Sequence, residues 1–169
     1  GVYRCHALGR NALIVDHRAS GRSEGRVITF GVRESRDCLS WVEFFIREID
    51  PEARIIITGI SMGAATVLCA AGYPLPKNVV GVLADCGYSS AREIISSVIE
   101  KMHLPARPLY PLVRLGAIIF GGFDPDKANP HKALKNCRIP IMFIHGEADD
   151  FVPCEMSRLN LAAVSSPKG

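Results

Sequence analysis

Residues 55–66, Ile55-Ile56-Ile57-Thr58-Gly59-Ile60-Ser61-Met62-Gly63-Ala64-Ala65-Thr66, decide how this chain is read. A β-branched apolar run passes through Gly-x-Ser-x-Gly into an alanine-rich segment, the order of a strand, a tight turn and a helix. Gly59 and Gly63 lack Cβ atoms, so strand and helix can approach closely around the turn. Ser61 at the tip would hold its hydroxyl above the end of a sheet. The backbone N–H of Met62, at the start of the helix, would face an oxyanion bound beside it. Ser61 is therefore the candidate nucleophile.

The rest of the chain extends that pattern in both directions. Upstream, residues 1–9 read as the end of a helix capped by Gly9. Residues 12–15 (Ala-Leu-Ile-Val) read as a strand buried on both faces. Residues 16–25 (DHRASGRSEG) form a polar, glycine-punctuated loop. Leu39, Val42, Phe45, Ile46 and Ile49 have helical spacing across 33–49, ended by Asp50-Pro51.

Downstream, a helix from Ser61 is capped by Gly72 and stopped before Pro74, and residues 79–84 form a further strand ending at Asp85. Residues 139–144 give another strand, and Glu155 to Ala163 a last helix. The alternation predicts an α/β fold: a mostly parallel sheet with helices on both faces. Functional groups belong at the carboxyl ends of its strands, where Asp16, Ser61, Asp85 and Asp149 fall. Residues 87–136 are longer than a connection needs and carry an exposed-looking apolar set that includes Leu109, Tyr110, Leu112 and Phe120. They read as a helical cap within the single unit 1–169.

At 169 residues, 48% apolar and 22% charged, the chain is one globular unit. A net charge of +3 without a basic-aromatic pattern argues against nucleic acid. The arginines at 10, 18, 22, 26, 33 and 36 read as a solvated face. The six cysteines form no C-x-x-C pair, so no zinc site is expected, and they suit a reduced, cytoplasmic setting. No cofactor or metal is implied. The charge-free run from Ile55 to Pro76 has the length of a membrane span, but its glycines, its proline and its change of period fit a strand and a buried helix better.

Four blocks now stand in order: R-x-x-G-x-S-x-G at 18–25, GISMGAAT at 59–66, DCGYSS at 85–90 and HGxxDxxVP at 145–153. With them the chain resembles the α/β-hydrolase superfamily, in its bacterial esterase and serine-aminopeptidase-like branch. The resemblance implies a Ser–Asp–His triad. Ser61 matches the nucleophile, and Asp149, fifth in its motif, matches the acid that would orient a histidine. Asp85 is the alternative acid, though hydrogen bonding in its own turn suits it better, and Asp150 is a further competitor. One departure is Ser20, where relatives often carry histidine.

The resemblance places the base after a further strand, which this chain does not reach. His6, His17, His103 and His131 stand away from the expected position, and His145 suits a role in holding its own turn. Half of the oxyanion hole would come from an earlier loop. The sequence thus reads as the middle of a hydrolase domain, a poor catalyst by itself, with unpaired sheet edges.

The expected activity of the complete protein is serine hydrolysis of small-molecule carboxylic esters or related acyl substrates through an acyl-enzyme on Ser61. Peptidase or acyltransferase action uses the same chemistry with a different pocket. A non-catalytic binding module on the same fold is the alternative from another class. The sequence leaves open whether the parent carries an amino-terminal membrane anchor.

Overall fold

A computed structural model describes residues 5, 7 and 9–165. Its elements in chain order are α1 (Glu34–Glu48), β1 (Ile55–Ile60), α2 (Met62–Ala70), β2 (Val79–Asp85), α3 (Ala91–Lys101), α4 (Ala106–Gly121), α5 (Pro130–Ala133), β3 (Ile141–Ile144) and α6 (Cys154–Ala163). Short 3-10 turns at Pro125–Lys127 and Leu134–Asn136 flank α5.

The strands form a parallel sheet in the order β1-β2-β3. The register sets Ile60 beside Asp85 and Asp85 beside Ile144. The three carboxyl ends therefore finish level, and the residues that follow them share one rim. β-branched residues dominate β1 and the start of β2, as suits a pleated, packed surface.

Helix α2 lies on the sheet and is apolar all round. Residues 64–70 are all buried, which explains why this stretch carries no charge. It packs with Val42 of α1, with Ile57, Val82, Ala84 and Ile141 of the sheet, and with Leu134 and Val164. A second cluster joins Ala65 to Tyr88, Ile94 of α3, Val152 and Met156 of α6, with Met62 packed against it. Ser90 caps α3 by accepting from the Glu93 N–H at 3.2 Å, the first half of a capping box.

Several expectations are corrected. Residues 12–15 form no strand, and Leu13 and Ile14 are exposed. An extended run becomes a strand only where a neighbour pairs with its backbone, and none among the described residues does so. The sheet is covered on one face. On the other, Ile56, Ile60, Met142 and Ile144 are exposed, so the second helical layer is not among the described residues. Gly72 is not a left-handed cap, because α2 ends on Ala71 in right-handed geometry. A Cβ on Gly72 would instead lie 2.7 Å from Ala133, so glycine there permits close packing on α5. Tyr110 is buried rather than exposed. Its hydroxyl donates to Asp126 at 2.5 Å, and the Arg92 guanidinium lies 4.6 Å from its ring centre, which gives its polar end partners inside.

Of the predicted first helix, Cys5 and Ala7 are helical, Gly9 has φ 65°, and the Arg10 N–H donates to the Cys5 carbonyl at 2.8 Å, as at a glycine cap. The remaining residues of that segment, His6 among them, lie outside the described residues. All six cysteines are free thiols. Among the described residues no helix is long and apolar enough to cross a membrane.

Candidate active site

Ser61 sits between β1 and α2 with φ 53° and ψ −114°. A non-glycine residue there is strained and persists only where its surroundings enforce it. The enforcement is visible. The Ser61 N–H donates to the Asp85 carbonyl at 2.8 Å, and its own carbonyl accepts from the Ala65 N–H at 3.0 Å. A Cβ on Gly59 would stand 2.2 Å from the Gly63 backbone, so only glycine lets the helix fold back so tightly. The Ser61 side chain makes no capping bond. Met62 opens α2, where the first N–H groups lack intrahelical partners.

Asp85 ends β2 beside Ile60. Its carbonyl holds Ser61, whereas its carboxylate makes no hydrogen bond among the described residues. The turn bonding expected of its side chain is thus done by its backbone. Cys86 follows with φ 47°, and its N–H donates to the Ile144 carbonyl at 2.8 Å. Burial pushes the Cys86 thiol up. The Ser61 N–H opposes this, while the charges of Asp85 and Asp149 add to it.

The 145–153 segment folds over the end of β3. The Asp149 N–H donates to the Gly146 carbonyl at 3.1 Å. Asp149 Oδ1 accepts from the N–H groups of Phe151 and Val152, each at 2.9 Å. The Val152 N–H is the main cause holding the Asp149 carboxyl below its ordinary value, opposed by slight burial and aided by Phe151 and His145. Asp150 is exposed.

The structure separates the histidines by what their rings do. The His145 side chain is 4% exposed. Its Nε2 lies 2.8 Å from the Val152 carbonyl and 3.5 Å from Asp149 Oδ2, and its Nδ1 lies 2.6 Å from Ser157 Oγ. With Nε2 protonated, both nitrogens are satisfied and neither is left for proton transfer. His131 Nδ1 lies 3.0 Å from the Leu159 carbonyl, away from the rim. His103 is exposed, just after α3. His17 is brought close to the elbow, its Nε2 lying 3.9 Å from where a Gly63 Cβ would stand. That proximity comes from the fold of the loop and could not be read from chain order.

The 16–25 loop is braced from within. Asp16 Oδ2 accepts from the Arg22 N–H at 2.9 Å, and Arg18 forms a two-pronged ion pair with Asp37 of α1. Ser20 contributes its N–H, to the His17 carbonyl at 3.0 Å.

One group the sequence reading missed is Glu34, fully buried at the start of α1. Its carboxylate accepts from the Thr29 N–H (2.6 Å), the Thr29 hydroxyl (2.5 Å) and the Gly31 N–H (2.8 Å). Burial alone would raise its pKa, but these bonds outweigh it and leave the group below its ordinary value. The turn so held puts Phe30 at φ 56°, and the Phe30 carbonyl accepts from the Tyr88 hydroxyl at 2.9 Å. The loop before α1 is thereby clamped to the DCGYSS turn. A Thr-x-x-x-x-Glu spacing before a helix was the available signal.

Leu109 is half-buried, while Leu112 and Phe120 are exposed on α4. Two concavities stand out, neither lined by Ser61 or Asp149. A pocket of about 180 Å³ includes Ser35, Cys69, Tyr73, Lys127 and Asn129 in its walls. An open groove of about 650 Å³ runs past Asp16, Glu24, Trp41 and Phe44. Among the described residues no group of three or more His, Cys, Asp and Glu side chains could hold a metal ion.

An esterase of Pyrococcus furiosus matches with a TM-score of 0.61 at 23% identity, covering 90% of this chain and 57% of its own. An acetyl xylan esterase from Thermoanaerobacterium matches with a TM-score of 0.69 at 14% identity, covering 99% of this chain and 61% of its own. The chain carries part of the α/β-hydrolase fold. Another structure with this α/β-hydrolase fold is an acylaminoacyl peptidase of Pyrococcus horikoshii, with a TM-score of 0.57 at 21% identity over 86% of this chain and 25% of its own. At these identities the likeness is one of fold. In sequence, the chain is 31% identical over 147 residues to the uncharacterized protein YqkD of Bacillus subtilis, covering 86% of this chain and 48% of YqkD. It is 27% identical over 164 residues to the uncharacterized protein Rv2307c of Mycobacterium tuberculosis, covering 96% of this chain and 51% of that protein. The chain spans about half the length of the curated relatives it matches. No family model matches it.

Proposed function

We propose that the complete protein is a serine hydrolase of carboxylic esters or related acyl substrates, with Ser61 as its nucleophile. The observation that carries this reading is the strained backbone of Ser61 on a turn whose Gly59 position has no room for a side chain. Such strain is kept where it serves chemistry. In the proposed reaction Ser61 Oγ attacks the substrate carbonyl, its proton passes to a base, and the alcohol or amine leaves. Water then releases the acyl group along the reverse proton path. The Met62 N–H is proposed to stabilise the oxyanion, aided by the amino end of α2.

Asp149 is the proposed acid. Its Oδ1 is committed to its own turn, and among the described residues Oδ2 has only the 3.5 Å approach of His145, which leaves it able to hold another imidazole. Asp85, whose carboxylate makes no hydrogen bond among the described residues, is the alternative acid. The base is proposed to be a further histidine, as the resemblance implies; His131 and His145 commit ring nitrogens to other partners, while His17 lies beside the elbow. Residues 87–136 are proposed as a cap over the acyl site, with the half-buried Leu109 facing substrate.

A fluorophosphonate probe tests the proposal. The complete protein should be labelled on Ser61, and the Ser61→Ala variant should not. A complete protein whose Ser61 stays unlabelled would favour a non-catalytic module on the same fold.

A further inference from the structure

Helix α4 is turned inside out relative to an ordinary surface helix. Its inward stripe is Tyr110, Ala117 and Gly121, with the partly exposed Arg114 beside it, and so carries a phenol. Arg114 binds Asp124 through two bonds at 2.8 and 2.7 Å. Its outward side carries Leu112 (64% exposed), Leu115, Ile118, Ile119 and Phe120 (87% exposed), with Leu104 just before the helix. Soluble surfaces rarely carry so continuous an apolar strip without an occupant.

The charges around the strip are mainly positive; the nearby carboxylates are Glu100, before Lys101, and Asp124 and Asp126, which are held in ion pairs. From Lys101 to Phe123 there is no aspartate or glutamate. Arg107, at the amino end of α4, is exposed and has no ion pair among the described residues. At the other end, Arg33 donates to the Gly122 carbonyl at 2.6 Å. Lys101 ends α3, held at the Phe151 carbonyl at 3.2 Å. Arg114, the remaining cation, is neutralised by Asp124.

We infer that α4 docks on an anionic lipid surface, lying in its plane. An apolar face flanked by cations and free of carboxylates suits the boundary between acyl chains and acidic headgroups. Sixteen residues reach about 24 Å along the axis, which suits a helix lying on the surface rather than crossing it. Arginine and lysine stems can lie along the apolar strip while their heads reach phosphate. A second copy fits less well, since pairing two such faces would set cations against cations with no carboxylate between them.

The test is co-sedimentation of the complete protein with vesicles of phosphatidylcholine alone and of phosphatidylcholine mixed with phosphatidylglycerol. Binding should appear on the mixed vesicles and fall with added salt. Leu115→Asp with Ile119→Asp should weaken it more than about tenfold. Arg107→Glu should weaken it about fivefold or more on the anionic vesicles. If the double variant does not fold, Phe120→Ser, at the most exposed position, takes its place. No partition into mixed vesicles, or equal partition of native and variant chains, overturns the inference. So does a lipid-free dimer that Ile119→Asp dissociates. None of these readouts depends on hydrolase activity.

Discussion

The Ser61 N–H is bound to the Asp85 carbonyl at 2.8 Å, so the turn that bears the hydroxyl is fastened to the neighbouring strand. β2 then passes the constraint on, since the Cys86 N–H is bound to the Ile144 carbonyl. Ser61, Cys86 and the 145–153 segment are thus referenced to one another through backbone rather than through mobile side chains.

Ser61→Ala in the complete protein should lower ester hydrolysis by about four to six orders of magnitude while leaving the thermal unfolding midpoint nearly unchanged. Initial rates on a short-chain p-nitrophenyl ester measure this. Activity within tenfold of the native protein would show that the chemistry lies elsewhere.

Gly59→Ala should destabilise the chain by about 2–4 kcal/mol, because the new methyl would meet the Gly63 backbone, which cannot swing away. Gly116→Ala is the contrasting case. It lies within α4 with nothing within 4 Å of its virtual Cβ, and should stabilise by about 0.5–1 kcal/mol. Urea midpoints of the two variants, falling on opposite sides of the native value, check both.

Glu34→Gln should cost about 1.5–3 kcal/mol at neutral pH, since a buried charged acceptor of three hydrogen bonds is exchanged for an amide. The native pKa lies below the ordinary 4.5. The carboxylate's contribution is therefore present above that value and is lost as pH falls through the lower, folded one. Between neutrality and acid, the gap between native and Glu34→Gln stabilities should narrow. A gap that widens on acidification would contradict this account.

His145→Ala should destabilise by about 1–3 kcal/mol, since Ser157 Oγ and the Val152 carbonyl both lose a buried partner. At a temperature where the variant of the complete protein is folded, Ser61 should still react with the fluorophosphonate probe. A loss of about 10^4-fold would instead identify His145 as the base.

The elbow was legible because its signals are local. The change of period at Gly59–Gly63 and the apolar run on each side are properties of a dozen adjacent residues. Residues 12–15 misled because a strand is defined by its neighbour, and pairing is not local. Tyr110 looked exposed because Asp126, which accepts from its hydroxyl, and Arg92, which lies over its ring, are 16 and 18 positions away. Glu34 went unnoticed, since nothing adjacent announces that Thr29 and Gly31 fold back over it. His17 was placed by chain order, whereas its loop carries it to the elbow.

The turn at Asp149 has an entropic consequence. A free aspartate samples several rotamers and must lose them to grip an imidazole. Here the Phe151 and Val152 N–H groups have already selected one, and the cost was met when the segment folded. If a histidine docks on the remaining oxygen, it meets a carboxylate with little left to reorganise, which is the condition under which a fixed charge does most for a transition state.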